Sequence, residues 1–318
     1  MSFATEVKNE IARIDNTRSE SIAELSGFLR NNGYYDEDAI NLVTENAIVA
    51  RRIYTLIKDI YDVYCEIETR KGNNFSKNNL YLIVIEEKKD LILKDLSIID
   101  EEENYLEEPA SYIIGSEEEI RAYLRGCFLS KGSINDPKTS RYHLEFLIDN
   151  KKEANLIKEL LNEFYLNSKV LSRDKGYMVY LKEAEKIGDF LRIINANQAV
   201  LYYEDIRIYR DHKNMTNRLN NCEQANIDKI IETATKQIED IEYLKENLGI
   251  ELLDDKTKEV ISYREKYPEA SLQELSEIIT YETGKPITKS GLNHRFRKIK
   301  ELVNRMKENS WFFFFFML

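Results

Sequence analysis

ELSGFLRNNG (residues 24–33) and YLRGCFLSKG (residues 123–132) decide how this chain is read. Each is an apolar helical stretch closed by a glycine, and each carries a second glycine in its interior, Gly27 and Gly126. An interior helical glycine costs about 1 kcal/mol relative to alanine, so both positions ask for a compensating reason. A close crossing supplies one. Without side chains at Gly27 and Gly126 the two backbones approach, and the segments form a central helix seam. Any tightly packed helix pair uses glycine this way, so the glycines alone do not name a fold.

Outward from these stretches the chain repeats itself. AINLVTE (39–45) and YHLEFLID (142–149) read as strands, and NAIVARRIYTLIKDIYD (46–62) and KKEANLIKELLNEFYL (151–166) as amphipathic helices. A hairpin follows in each copy. VYCEIETR and LYLIVIE flank a turn at Lys71 to Asn79, and SKVLSRD and YMVYLKE flank Lys175-Gly176. Short helices near 88–96 and 184–194 close the copies. The order is helix, two strands, helix, two strands, helix, and Gly27 and Gly126 lie 99 residues apart (126 − 27). Self-similarity at a fixed offset predicts a duplication within one domain. The alternating strands predict sheets with one buried and one open face. The copies are placed at 1–108 and 109–206, with acidic DEEENYLEE (100–108) as an exposed connector.

With 318 residues, 42% of them hydrophobic and 32% charged, the chain has room for two ordinary soluble domains. Its net charge of −11 is unevenly spread. Residues 1–120 hold 13 basic against 26 acidic side chains, 121–206 hold 14 against 12, and 207–318 hold 19 of each. Within the last part, Lys285, Lys289, Arg295, Arg297, Lys298, Lys300, Arg305 and Lys307 face only Glu301 across 285–307. Such a stripe is the electrostatic footprint that phosphates require; a solvated helix face is the bland alternative. Cys65, Cys127 and Cys222 form no C-x-x-C, and three histidines are too few for a histidine-rich metal centre. Neither a metal nor a cofactor is expected. The opening MSFATEVKNEIARI is not a signal peptide, and no run reaches the roughly 20 apolar residues that cross a bilayer. The expected location is the cytoplasm, with no membrane contact.

LSGFLRNNG (25–33) and LRGCFLSKG (124–132) resemble the signature helices of the LAGLIDADG homing endonucleases. The resemblance implies helices packed through their glycines, with an acidic metal ligand just before the last glycine of each. Asn32 and Lys131 stand at those positions. Neither is the anionic oxygen ligand that a magnesium ion takes, and two-metal cleavage needs such carboxylates. The scaffold is kept and no catalytic residue is expected.

The degenerate duplicated body and its tail together resemble the WhiA family of bacterial regulators, over residues 1 to about 307. The resemblance rests on MSFATEVKNEI (1–11), GYMVYLKEAEKIGDFL (176–191), YYEDIRIYRDHKNMTNRLNNCEQANIDK (202–229) and PEASLQELSEII…PITKSGLNHRFRKI (268–299). It implies a DNA-binding protein linked to cell division, and to sporulation where that occurs, without nuclease activity. It also suggests RNA polymerase or a sigma factor as partner. The fold class expected is α+β: a LAGLIDADG-like αββαββα duplication (1–206), a basic linker (207–225) and an all-α helix-turn-helix domain (226–308).

The linker mixes Arg207, Arg210, Lys213 and Arg218 with asparagines. It reads equally as a second DNA contact, through Arg210 and Arg218, or as a polar hinge. From Ile227 to Leu248 an apolar stripe predicts a helix stopped by Gly249. That stripe suits either a short coiled-coil dimer or packing within its own domain. Further on, Pro268 stops a helix, Ser271-Leu-Gln-Glu274 is a capping box, and Thr288 is positioned to cap the last helix. There Leu292, Phe296 and Ile299 share the buried face, leaving Ser290, Asn293, His294 and Arg297 outward. This is helix-turn-helix geometry, whose second helix reads the major groove of double-stranded DNA. Arg297 and Asn293 carry the bidentate groups for guanine and adenine, and Lys289, Arg295 and Lys298 suit phosphates. His294 reads as base contact, phosphate contact or plain surface. The closing SWFFFFFML (310–318) departs from the family and is an aggregation hazard; a reading-frame error and a docking peptide are its two readings.

Three functions stay open at this point. The first is a sequence-specific transcriptional regulator. The second is a nucleoid-associated interaction protein of the division machinery whose DNA binding is accessory. The third is an active homing endonuclease, which Asn32 and Lys131 disfavour.

Overall fold

The computed structural model of the chain describes residues 1–36, 38–71, 79–139 and 141–317, the last nine as backbone alone. The turn at 72–78 and the side chains of the apolar tail lie outside the described residues. Two units are present, one ending at Asp211 and one beginning at His212.

In the first unit a lead helix, α1 (Phe3–Ile11), precedes the first copy: α2 (Arg18–Asn32), β1 (Tyr34–Tyr35), β2 (Ile40–Thr44), α3 (Ala47–Tyr61), β3 (Glu66–Arg70), β4 (Leu80–Ile85) and α4 (Lys89–Asp95). The second copy repeats the order: α5 (Glu117–Lys131), β5 (Gly132–Ile134), β6 (Leu144–Ile148), α6 (Lys151–Glu163), β7 (Lys169–Arg173), β8 (Gly176–Leu181) and α7 (Ala184–Ile193). The offset of 99 that relates the two glycines also relates their helix starts. Thr17 with Glu20, and Ser116 with Glu119, form complete capping boxes on α2 and α5.

The strands form two antiparallel four-stranded sheets, ordered β1-β2-β4-β3 and β5-β6-β8-β7. Their register puts Ile40 opposite Ile85 and Leu42 opposite Ile83 in one, and Phe146 opposite Val179 in the other. Ile40 and Leu42 are buried, as are Leu144, Phe146 and Ile148, so each sheet has the expected inner face. The outer strands β3 and β7 are almost wholly exposed. Gly176 turns the second hairpin with φ 112°, a conformation that side chains disfavour.

The seam is where the sequence predicts it. Residues 23–29 of α2 and 122–129 of α5 are buried without a break, since both helices are covered on every side. A Cβ on Gly27 would lie 2.4 Å from the Tyr123 carbonyl oxygen, and one on Gly126 would lie 2.0 Å from that of Glu24. Both are far inside van der Waals contact, so the crossing requires glycine on each helix. One continuous core surrounds it, from Phe3 on α1 to Tyr203.

Tyr203 belongs to α8 (Asn197–Asn247), a single helix of 51 residues. Residues 207–225, read from the sequence as a linker, are helical throughout. The last turns of α8 join α9 (Asp255–Lys266), α10 (Leu272–Thr283) and α11 (Lys289–Met317) in the second unit. Its core gathers Ile241 and Leu244 with Val260, Leu275, Ile279, Leu292, Phe296 and Ile299. The predicted apolar stripe is therefore divided. Ile241 and Leu244 pack in the core of their own unit and Ala234 is buried, whereas Ile227 and Ile231 remain about half exposed. The helix stops before Gly249, which takes φ 79°.

Candidate nucleic-acid interface

The turn between α10 and α11 is held by local chemistry. Ser271 and Glu274 cap α10 reciprocally, and Gly284 ends it in the left-handed region at φ 69°. Thr280 Oγ1 then accepts from the Ile287 amide at 3.1 Å, and Thr288 Oγ1 accepts from the Gly291 amide at 3.1 Å to open α11. Leu292, Phe296, Ile299 and Val303 are buried along one side of α11.

The opposite side is open. Lys289, Ser290, Asn293, His294, Arg297 and Lys298 are all exposed, and Arg295 is half-buried. Arg295 donates to the Lys256 carbonyl at 3.1 Å, which ties it to the start of α9. Among the described residues Arg297 is paired with Glu301, one turn along, at 3.6 Å, and its side chain is 78% exposed. This pair is solvated and weak. The first turn of α11 carries no acidic residue, so its positive dipole end and its cations act in the same direction.

Arg264 braces this unit, and the sequence reading missed it. It is buried on α9, donates to the Ala270 carbonyl at 2.6 Å and the Tyr267 carbonyl at 3.3 Å, and lies 5.5 Å over the Phe296 ring. Burial lowers its pKa. By tying the α9–α10 connection to α11 it sets the angle at which the open face is presented.

At the foot of the seam, Asn32 and Lys131 line one cleft of about 800 Å³ with Lys8, Glu45 and Ser130. Asn32 is occupied by structure. Its Nδ2 donates to the Val43 carbonyl and its Oδ1 accepts from the Val43 amide, both at 2.8 Å, extending the sheet edge. Lys131 has Asp149 at 3.8 Å, a carboxylate 85% exposed. An amide already paired with backbone and an ammonium do not fit a divalent cation. Among the described residues no group of three His, Cys, Asp or Glu side chains is arranged to hold a metal ion.

On α8, Arg218 is exposed, while Arg210 is engaged within the first unit. Arg210 donates to the carbonyls of Pro137 and Thr139 and lies 4.5 Å over the Tyr142 ring.

Two buried ion networks crossing the seam were also illegible in the sequence. Glu24 on α2 accepts from Arg125 Nε at 2.9 Å, Arg52 Nε at 2.9 Å and Asn16 at 2.7 Å. On the other side Glu153 accepts from the Tyr123 hydroxyl at 2.6 Å and Asn31 at 3.2 Å, with Arg30 at 3.9 Å. Burial raises the Glu153 pKa despite these donors. The only signal was charge inside otherwise apolar helices, which a surface position explains equally well.

Comparison with known proteins gives a consistent picture. Residues 18–99 match the model of the WhiA N-terminal LAGLIDADG-like domain, 120–213 the WhiA LAGLIDADG-like domain, and 216–303 the WhiA C-terminal HTH domain. A probable cell division protein WhiA of Bacillus cereus is 45% identical over 311 residues, covering 96% of this chain and 98% of the relative. Full-length DUF199/WhiA from Thermatoga maritima matches in structure with a TM-score of 0.59 at 24% identity, over 96% of this chain and 99% of that one. The isolated N-terminal LAGLIDADG domain of DUF199/WhiA matches with a TM-score of 0.51 at 25% identity, over 61% of this chain and 90% of that one.

Proposed function

Because this chain belongs to the WhiA family, we propose that it is a sequence-specific DNA-binding regulator of transcription serving cell division, and sporulation where that occurs, without nuclease activity. The observation that carries the reading is the open, cationic face of α11, with Asn293 and Arg297 exposed on a helix whose other side is core. In a major groove Arg297 pairs with guanine and Asn293 with adenine, while Lys289, Ser290 and Lys298 meet phosphates and His294 lies at the contact rim. Arg295, held to α9, orients the helix and supplies charge. Arg218 adds a second cationic contact, and Arg210 serves chiefly to anchor the start of α8. The working location is the nucleoid within the cytoplasm, and RNA polymerase or a sigma factor is the partner in this reading.

Anisotropy titration of the full chain tests it. Arg297→Ala weakens the specific complex by about 1–3 kcal/mol and relaxes preference at one base pair, and removing Lys298 lowers the salt slope by about 1. Equal affinity for all sequences before and after Arg297→Ala sinks the proposal. Cleavage of duplex DNA with magnesium, lost in a seam-helix variant, sinks its non-nuclease half. A second reading, an interaction protein of the division machinery, is favoured by the acidic excess of residues 1–120. It predicts capture of a basic partner that survives Arg297→Ala.

A further inference from the structure

We propose that the cleft at the foot of the seam is a phosphate site, in which the Lys8 and Lys131 ammonium groups hold the oxygens of a phosphate ester. α1 brings Lys8 to the end of α5, so two ammonium groups separated by more than a hundred residues of sequence line one cleft. Among the described residues of that lining Glu45 is the one carboxylate against two lysines, so the cleft is cationic although the first copy beside it is strongly acidic. Ser130 Oγ is shielded there and has no hydrogen-bond partner among the described residues, leaving one donor for an incoming oxygen. Thr5 and Ser133 add hydroxyls at the wall. The first turn of α1 lines the same cleft, and its dipole favours an anion.

The Lys8 side chain is half-buried, lies 5.7 Å over the Phe128 ring, and has its pKa lowered to about 8 by burial, with Glu45 pulling it upward. A desolvated ammonium of this kind gains from an added anion more than a hydrated one does. Among the described residues the ion-pair partner of Lys131 is an Asp149 oxygen at 3.8 Å, beyond hydrogen-bond reach, so the ammonium is available to a ligand. Lysines acting as point charges, with hydroxyl donors between them, suit the several oxygens of a phosphate. The volume is that of a small-ligand site.

Such a phosphate comes from one of two sources, a duplex backbone or a free nucleotide. The duplex arm rests on the DNA-binding reading above; the nucleotide arm does not.

The test uses the full chain, with Lys131→Gln, Lys8→Gln and Lys8→Arg beside it. A labelled duplex is titrated across salt, and thermal melting is followed with inorganic phosphate or a 5′-mononucleotide against chloride at matched ionic strength. If the backbone is the source, each glutamine substitution lowers the salt slope by about 0.9, so raising salt from 50 to 200 mM costs the wild type about 3.5-fold more per lysine. Lys8→Arg restores the slope. If a free nucleotide is the source, it raises the wild-type melting temperature and the gain disappears in Lys131→Gln. Should Lys8→Gln fail to fold, Lys131→Gln, at a half-buried side chain outside the core, reports alone. Identical salt slopes together with identical melting responses in wild type and Lys131→Gln overturn the proposal. Arg297→Ala, run alongside, reports base preference, so this site and the α11 reading fail separately.

Discussion

Gly126→Ala is the substitution that most directly interrogates the seam. Its Cβ would stand 2.0 Å from the Glu24 carbonyl oxygen and 2.9 Å from the Phe28 amide nitrogen, and neither is a movable side-chain end. Restoring ordinary contact requires α2 and α5 to part by about 1.2 Å. That gap opens along both helices and strips packing from buried Leu25, Phe28, Leu124 and Phe128. A gap of this size forfeits about half of each dispersion contact, and such overpacking costs about 1–3 kcal/mol. Better helix propensity returns about 1 kcal/mol. The net loss is about 2 kcal/mol, lowering the melting temperature of the first unit by about 4–8 °C. Gly27→Ala, with its Cβ 2.4 Å from the Tyr123 carbonyl oxygen, pushes the same helices apart. The double variant therefore loses less than the sum of the singles, by more than about 0.5 kcal/mol. Gly291→Ala is the control: its Cβ meets Thr288 Oγ1 at 3.4 Å and Ile287 Cγ1 at 3.9 Å, both ordinary contacts, so stability holds or rises by up to about 1 kcal/mol. Thermal and urea denaturation by far-ultraviolet circular dichroism measure all four. Wild-type stability in Gly126→Ala, or strict additivity in the double variant, refutes the close-crossing argument.

Glu153 predicts a pH effect. Burial holds its folded pKa above the ordinary 4.5, so the folded state keeps this proton to higher pH than the unfolded chain. Its contribution is intact below the unfolded pKa and is lost as pH rises through the folded one. Glu153→Gln removes that loss, and the stability difference between variant and wild type grows upward from about pH 4.5; a flat difference refutes the assignment. Arg264→Met takes from the Ala270 carbonyl its guanidinium donor, while the Tyr267 carbonyl keeps the Ala270 amide at 3.4 Å, and lowers the stability of the second unit by about 1–3 kcal/mol, read from loss of its amide protection in hydrogen exchange. Thiol titration separates the three free cysteines. Exposed Cys222 reacts quickly, while Cys65, pushed up to about 11 by burial, and the fully buried Cys127 react only as the protein opens; rapid labelling of all three contradicts the core packing.

Much of the architecture was written in contiguous residues. The seam glycines, the strand alternation, the capping box at Ser271 and the Thr288 cap are local rules of backbone and periodicity, and a run of ten residues contains all the physics needed to read them. The duplication was legible for the same reason, because two copies of a local pattern at one offset require no knowledge of contacts. Tertiary structure alone paired Glu24 with Arg125, 101 residues away, and turned Arg210 toward the carbonyls of Pro137 and Thr139. It alone placed Lys8 beside Lys131 and buried Arg264 under the α11 unit. A long charged side chain is compatible with water, an ion pair or a distant carbonyl, and only the packed fold, by removing water from some of these positions and not others, selects its partner.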